Sequence, residues 1–282
     1  MQNRELRYYC VGDFVIEYNG PAFKEKEYLS KFRIEAQKPD VSYRLISCEK
    51  MKLPEIPCVH TSAYVDVFRK GREQVRVIYE QDRKEMILKD CCSDGFLHLV
   101  KTNENWMEQM NSRLAVVLFD LPYQLIAQEA LFLHASYVLW KGKAILFTAP
   151  KQTGKTTQAK LWESFRGATI VNGDRALLRK VDGCWKAYGS PYCGTSQMCE
   201  NLSAPIGAVV LLSQAAQNSV CRAKTMEALI AFMDGASFHT WDKENVEAAV
   251  DLMKDLIADI PIYKLGCTPT EDAVKVLEEV LW

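Results

Sequence analysis

The sequence predicts a mixed α/β (α+β) protein, in which a smaller antiparallel β-rich domain over residues 1–102 precedes a larger α/β domain over residues 103–282. Residues 1–102 contain short runs of near-alternating apolar residues separated by turn residues, and strands joined by tight turns pair antiparallel. From residue 103 onward, apolar runs of strand length alternate with stretches of helical spacing, which is typical of an α/β domain. A loop that contains Gly154 and Lys155 joins one of these strands to a helix.

Composition places the chain among ordinary globular proteins. Of its 282 residues 48% are hydrophobic and 25% charged, and 35 Lys and Arg balance 36 Asp and Glu to a net charge of −1. Disordered chains combine low hydrophobicity with high net charge, and this chain has neither property. A general nucleic-acid-binding protein needs a basic surplus to neutralise phosphates, so no nucleic-acid partner is expected.

No targeting or membrane segment is visible in the sequence. The first residues lack the apolar region of a secretory signal, and no apolar run approaches the roughly 18 residues of a membrane span. The ten cysteines include no CxxC pair, which argues against a zinc site or a disulfide scaffold and favours reduced, packed thiols. We therefore expect a cytoplasmic protein without a membrane partner.

The first domain is predicted to be a series of strands. The segment Tyr8–Tyr18 is followed by Asn19-Gly20, a dipeptide typical of a tight hairpin turn. Further strands are expected at Val59–Arg69, Gln74–Glu80 and Glu85–Leu88. No cluster of candidate catalytic side chains occurs in this region.

The second domain begins with a helical stretch that a proline divides. The strand Leu131–Trp140, a short turn and the buried strand Ala144–Thr148 follow, and the two strands are expected to pair as a hairpin. The last helix is expected to have Thr268 as its N-cap, Pro269 at its first position and Glu271 completing a capping box. The other predicted elements are the helices Gln158–Phe165 and Asn245–Ile257 and the strands Ala168–Val171, Ala176–Val181, Trp185–Tyr188, Ile206–Leu212 and Pro261–Leu265.

The most informative motif lies between the strand Ala144–Thr148 and the helix after it. Gly154 permits close approach of a phosphate, Lys155 supplies a positive charge, and Thr156 supplies a hydroxyl for Mg²⁺. Backbone N–H groups and the helix N-terminus converge on an anion in this context. We therefore expect a nucleotide and Mg²⁺ as ligands of this Walker A motif. The motif consists of Ala149, Pro150, Lys151, Gln152, Thr153, Gly154, Lys155, Thr156 and Thr157.

Ala149 departs from the Walker A rule, which has glycine at this position. Alanine resists a positive φ, so the loop is expected either to enter its turn differently or to bind nucleotide less tightly. An ordinary strand-to-helix turn is the alternative interpretation of the segment.

Three further groups are expected near this loop. His134 lies on the strand before the loop strand, and a hydrogen-bonded core histidine is an equally supported interpretation of it. Asp174 and Arg175 follow the strand Ala168–Val171, and the carboxyl ends of strands line the ligand crevice of α/β sheets. Asp174 can hold Mg²⁺ or accept a proton from an attacking hydroxyl, with a simple turn as the alternative. Arg175 would balance phosphate charge or stay solvated.

Together these motifs resemble the kinase domain of HPr kinase/phosphorylase and the HPr-kinase-related proteins of bacterial gene clusters. That fold is shared with ATP-dependent phosphoenolpyruvate carboxykinase. The segments that carry the resemblance are Leu133-His134-Ala135-Ser136, Gly154-Lys155-Thr156-Thr157-Gln158-Ala159 and Gly173-Asp174-Arg175. The β-rich N-terminal region is unlike the N-terminal domain of HPr kinase itself and is similar to the leader region of the related proteins.

The resemblance implies roles for particular residues. Lys155 and Thr156 would handle phosphates and Mg²⁺, and His134 would lie near the transferred phosphate. Asp174 matches the second member of the family's acidic pair. The first member, which the family would use as general base and acid, falls on Gly173.

The leading functional hypothesis is a kinase that transfers the γ-phosphoryl group of ATP to a serine hydroxyl of a protein or peptide acceptor. The alternative is a nucleotide-binding regulatory or scaffolding protein with little catalysis. It is favoured by Ala149, by Gly173 and by a missing family carboxylate, with which Glu200 aligns poorly. A carboxykinase-like or other small-molecule phosphotransferase, or a hydrolase, is a third interpretation. Residues 1–102 are expected to contribute to acceptor choice, and family members commonly form rings, so a homo-oligomer is a further expectation.

Overall fold

The computed structural model describes residues 4–80, 82–92 and 95–282. The chain divides into two compact units, one ending at Asp120 and the other comprising Leu121–Trp282. The structural boundary thus lies after two short helices that the sequence-based boundary at residue 102 assigns to the second domain. These helices are tied to the first unit, because the Ser112 hydroxyl accepts a hydrogen bond from the Lys26 N–H and the Phe119 carbonyl accepts one from the Tyr43 hydroxyl.

The first unit is built on a nine-stranded sheet in the order β3-β1-β2-β4-β9-β8-β7-β6-β5. Its strands are β1 (Arg4–Val11), β2 (Phe14–Pro21), β3 (Arg33–Ile34), β4 (Val41–Ser47), β5 (Cys58–Thr61), β6 (Val65–Lys70), β7 (Glu73–Tyr79), β8 (Met86–Cys92) and β9 (Leu97–Thr102). Its helices are α1 (Glu27–Ser30), α2 (Glu104–Glu108) and α3 (Ser112–Phe119). The strands β2 and β4, and β4 and β9, pair in parallel, so the predicted antiparallel sheet is in fact mixed.

The first hairpin turns earlier than the sequence predicts. Gly12 and Asp13 connect β1 to β2, both with positive φ (60° and 66°), which matches the twist of the flanking strands. Asn19 and Gly20 instead lie inside β2, so the turn expected there is wrong. Gly20 is required for another reason: a Cβ at this position would come within 2.6 Å of the buried Tyr18 hydroxyl.

A buried charged network lies within the first unit. The Arg76 guanidinium donates to Asp90 Oδ2 at 3.0 and 2.6 Å and is paired with Asp120 at 2.7 Å. His98 Nδ1 lies 2.9 Å from the Asp90 carboxylate, and Arg76, Asp90 and His98 are each at most 4% exposed. Burial tends to lower the pKa of His98, but the hydrogen bonds to Asp90 and Cys92 and the charges of these two groups together outweigh it and raise the pKa to about 9. His98 is therefore an imidazolium at neutral pH, charge-balanced by Asp90.

This network gives the protein a pH-dependent stability. Because the pKa of His98 is about 9 in the folded chain and about 6.5 when unfolded, its stabilisation is complete below about pH 6.5 and is lost as pH rises through 9. We expect the free energy of unfolding to fall more steeply between about pH 7 and about pH 10 in the native protein than in a His98→Gln variant. Urea unfolding of both across this range measures the difference, and parallel curves would contradict the assignment.

The second unit contains a ten-stranded sheet in the order β13-β11-β12-β16-β15-β14-β10-β18, with β19 paired to β16 and β17 paired to β19. Its strands are β10 (Ala130–Leu133), β11 (Ala135–Trp140), β12 (Lys143–Thr148), β13 (Thr169–Asn172), β14 (Ala176–Val181), β15 (Cys184–Tyr188), β16 (Ser203–Gln214), β17 (Ser219–Arg222), β18 (Ala236–Ser237) and β19 (Ile262–Cys267). Its helices are α4 (Leu121–Ile126), α5 (Lys155–Arg166), α6 (Thr225–Gly235), α7 (Lys243–Asp259) and α8 (Glu271–Glu278). The predicted mixture of strands and helices is confirmed.

Helices cover both faces of this sheet because its central strands are apolar on both sides. Along β12, Phe147 packs with the fully buried Trp162 of α5 and with α8. The neighbouring Leu146 faces the opposite side, where it packs with Phe232 of α6 and with α7. The alternation of side chains along a strand thus divides one apolar run between two cores.

Two predictions about this unit are wrong. The expected continuous strand Leu131–Trp140 is two strands, β10 and β11, interrupted at His134, where the chain moves from one neighbour to another. The final helix is capped by Thr270 and begins at Glu271. Thr268 is not its cap, because the Thr268 N–H and hydroxyl both donate to Asn218 Oδ1.

Two sequence expectations concern the environment of the chain. Among the described residues, no helix is both long and apolar enough to cross a membrane. None of the ten cysteines forms a disulfide, as predicted, although Cys58, Cys184 and Cys221 are exposed rather than packed.

Candidate functional site

The loop between β12 and α5 (residues 149–154) has a backbone conformation that depends on glycine. Gly154 caps α5 with φ +115°, a value that L side chains rarely adopt. Gln152 also has a positive φ (65°). Ala149 has no positive φ, so the loop enters its turn without the strain that alanine would otherwise introduce there. The departure at Ala149 is therefore compatible with this loop.

Lys155, the first residue of α5, folds back on the loop. Its Nζ donates to the Ala149 carbonyl at 2.8 Å and to the Pro150 carbonyl at 3.2 Å, and the residue is only 7% exposed. Burial lowers the pKa of Lys155, the Asp174 carboxylate raises it in part, and Lys151 lowers it further. An ammonium group that is partly removed from water gains stability from a nearby anion. Lys155 is thus a partly buried cation that a bound anion would stabilise.

The other predicted residues of the loop differ in exposure. Thr153 and Thr156 are half-buried, whereas Lys151, Gln152 and Thr157 are exposed.

Asp174 is positioned by a buried asparagine. Asn172 ends β13, and its Oδ1 accepts hydrogen bonds from the backbone N–H groups of Asp174 (2.9 Å) and Arg175 (2.8 Å). Its Nδ2 donates to the Ser190 carbonyl at 2.9 Å, which ties this turn to the loop after β15. Asn172 is a residue of the site that sequence reasoning missed, although an asparagine that opens a turn is the signal for such a motif.

His134 joins this turn to the loop strand. Its Nδ1 lies 2.9 Å from the Asp174 carbonyl oxygen and 3.4 Å from Asp174 Oδ1. Its carbonyl accepts from the Thr148 hydroxyl at the end of β12, and its N–H donates to the Gly235 carbonyl. Burial and then the charge of Lys155 lower the pKa of His134, which keeps its imidazole neutral at neutral pH. The structure therefore brings His134, Asp174 and Lys155 together, as expected.

Arg175 lies beside the same carboxylate. Its Nε is 3.7 Å from Asp174 Oδ2, and its Nη1 donates to the hydroxyl of Ser237 in β18. The side chain, which is 38% exposed, is thus held at the site by these two contacts, and Ser237 is a contributor that sequence reasoning missed. No local pattern could have identified it, since it lies 62 residues away along the chain.

Gly173 has no room for a side chain. A Cβ at this position would lie 2.3 Å from Ser196 Oγ and 3.3 Å from the Met198 side chain. Gly194 has a positive φ (57°) and lies so close to Asp174 that its Cβ would be 2.8 Å from the carboxyl carbon. The loop between β15 and β16 therefore covers the position where a second carboxylate would stand. The Glu200 backbone is fixed nearby, because its N–H donates to the Val171 carbonyl.

A substitution pair tests this close packing. Gly173→Ala is expected to destabilise the protein by about 1–3 kcal/mol, because the new methyl group meets the Ser196 hydroxyl. Adding Ser196→Ala removes that hydroxyl and should recover most of the loss. Chemical unfolding of the single and double variants measures both values. Equal stability of the native protein and Gly173→Ala would show that the loop between β15 and β16 accommodates the added methyl group at no cost in stability.

The donor set at the site is small. Among the described ranges, no group of three or more His, Cys, Asp or Glu side chains is arranged to hold a metal ion. The Thr156 hydroxyl and the Asp174 carboxylate are the protein oxygens expected to serve. Mg²⁺ commonly takes one or two protein oxygens and completes its shell with phosphates and water. These residues thus fit a Mg²⁺ ion that arrives with a phosphate ligand.

Comparison with known proteins finds similarity among solved structures but not among family models or curated sequences. No protein-family model matches the chain, and no curated protein matches its sequence. Among solved structures, the HPr(Ser) kinase/phosphatase from Coxiella burnetii is similar, with a TM-score of 0.32 and 11% identity over 52% of this chain and 94% of that one. The likeness is a distant one.

Proposed function

We propose that this protein is an ATP-dependent phosphotransferase that moves the γ-phosphoryl group of ATP to a serine hydroxyl of a protein or peptide. The observation that supports this proposal is the convergence of Lys155, Asp174 and His134 beside the glycine-dependent loop 149–154. A phosphate-binding loop with an adjacent carboxylate is the arrangement that phosphoryl transfer needs, since the reaction depends on positioning and charge stabilisation.

In the proposed reaction, the loop N–H groups and the α5 N-terminus hold the phosphate chain. Lys155 exchanges its loop carbonyl partners for phosphate oxygens and stabilises the charge that develops on them. Asp174 accepts the proton of the serine hydroxyl, contributes to the metal site, or does both. The chemistry that Mg²⁺ supplies when bound is neutralisation of phosphate charge, with Thr156 and Asp174 as its protein ligands.

His134 and Arg175 have supporting roles in this proposal. His134 fixes the Asp174 turn through the 2.9 Å contact with its carbonyl. Because its pKa is lowered, it adds no positive charge next to Lys155. Arg175 holds a permanent charge beside the carboxylate and would orient it or contact a phosphate oxygen.

The test is transfer of labelled phosphate from ATP, in the presence of Mg²⁺, to candidate acceptor proteins and peptides, including the products of neighbouring genes. Mass spectrometry then locates the phosphoserine. Transfer that is lost in both Lys155→Ala and Asp174→Ala supports the proposal. Transfer that persists in Asp174→Ala would exclude this site as its origin.

A nucleotide-binding regulatory or scaffolding protein is the second candidate. The crowding of Gly173 by Ser196 favours it, because the position of the family's general base cannot carry a side chain. For this candidate, ATP binding survives in Asp174→Ala and no acceptor is labelled by any variant.

A further inference from the structure

We propose that the nucleoside part of the nucleotide, its ribose and base, binds in a cleft on the far side of loop 149–154 from Asp174. This inference rests on the proposed function, since it places the remainder of the same ligand. The cleft has a volume of about 450 Å³, within the usual range of small-molecule sites. We call it the β16–β19 cleft.

The position of the cleft follows from the sheet. The strands β12, β16 and β19 are parallel neighbours, so their carboxyl ends lie along one edge. Ligands of α/β sheets bind at such an edge. The cleft is bounded by loop 149–154 after β12, by Gln214 and Ala215 at the end of β16, and by residues 267–269 at the end of β19.

The catalytic candidates lie on the other side of β12. Its second neighbour is the antiparallel strand β11, next to His134, and β13 beyond it leads to Asp174. A triphosphate lying across the loop would therefore place its terminal phosphate toward Asp174 and its other end toward the β16–β19 cleft. One elongated ligand would fill both sides.

The chemistry of the cleft suits a neutral ligand part. The described residues that line it are all uncharged, and several carry an amide or a hydroxyl, such as Gln214, Thr157 and Thr268. Phosphate groups would find their positive partner at Lys155 and not here. Ribose and a base are neutral and rich in hydrogen-bonding groups, and they match this lining.

Gln158 supports the proposed nucleoside site independently of the shape of the cleft. It lines the cleft and is only 2% exposed, and within the part of the chain that the structure describes its Oε1 has no hydrogen-bond partner. Buried carbonyl oxygens are nearly always paired. An N–H or O–H donor of the ligand, such as a ribose hydroxyl or an exocyclic amino group, would satisfy this oxygen.

The test compares two ligands by calorimetric titration: ATP, which has a nucleoside, and inorganic tripolyphosphate, which lacks one, each with Mg²⁺. Ala215→Trp places an indole in the cleft at an exposed position. The matched control is Ala216→Trp, which is also exposed and does not line the cleft. We expect Ala215→Trp to weaken ATP binding by about tenfold or more and to leave tripolyphosphate binding unchanged, while the control binds both normally.

Gln158→Leu gives a second, independent variant. We expect it to weaken ATP binding but not tripolyphosphate binding, because it removes the oxygen that would accept a hydrogen bond from the nucleoside. Substitution of a residue with only a structural role would alter the affinities for ATP and tripolyphosphate by the same factor. ATP binding that is unaffected by both variants would overturn the proposed cleft and leave the phosphotransferase proposal standing. Native protein that binds neither ligand would overturn both proposals.

Discussion

Lys155→Ala is expected to slow phosphoryl transfer by about 10²–10³-fold, the usual cost of removing one preorganised group that stabilises developing charge. The reason is the position of Lys155. Two carbonyls of loop 149–154 hold its ammonium group in the loop, and the Asp174 carboxylate lies close enough to raise its pKa. We also expect the increase in melting temperature caused by Mg²⁺ and ATP to disappear in this variant. Initial rates of label transfer and a thermal unfolding series measure the two effects.

The control is Lys160→Ala, which removes an exposed lysine from the same helix. It should keep the native rate and the native response to nucleotide. If Lys155→Ala retains full transfer, the catalytic centre lies elsewhere. If both lysine variants lose activity equally, the effect comes from α5 as a whole and not from the loop cation.

Asp90→Ala is expected to destabilise the first unit by about 3–5 kcal/mol, because it leaves a buried charge without its partner. Arg76 would keep Asp120, but His98 would lose the carboxylate that holds its pKa at about 9. Burial tends to raise the pKa of the Asp90 carboxyl, but the charges and hydrogen bonds of Arg76 and His98 together outweigh it and hold the pKa below its ordinary value. Asp90 is therefore ionised and central to the network.

Urea unfolding, monitored by circular dichroism, measures this loss. Asp82→Ala is the matched control, since Asp82 forms a solvent-exposed ion pair with Lys84, and water screens the attraction in such pairs. A loss of less than 1 kcal/mol for Asp90→Ala would show that the network relaxes around the missing carboxylate. In that case, the pH dependence assigned to His98 should vanish in the same variant.

The segment around Gly154 could be predicted because its signals are local. An apolar strand, a glycine that tolerates φ +115° and a helix start are adjacent in the chain, and each is specified by its own residues. The opposite case is the first hairpin. Asn19-Gly20 is the better turn dipeptide by composition, yet Gly12-Asp13 forms the turn, because this register pairs β1 with β2 over their full length and places Gly20 against Tyr18.

The candidate site shows the same division. His134, Lys155 and Asp174 could be selected as candidates from local signals. His134 lies on the strand before the loop strand, Lys155 belongs to the Walker A motif, and Asp174 follows an apolar strand, whose end lines the ligand edge of an α/β sheet. The partners that hold them could not: Asn172, Ser190 and Ser237 are common polar residues whose roles depend on contacts between distant segments.

Residue order alone thus specified the mixed α/β class, the loop conformation and the three central side chains, since short-range periodicity and backbone preference act within a few residues. Folding in three dimensions decided the mixed first sheet, the break at His134, the absence of space at Gly173 and the cleft beside Gln158. Each of these depends on which distant atoms occupy a given volume. Van der Waals exclusion and buried hydrogen bonding set that outcome, and neither is encoded in a local stretch of sequence.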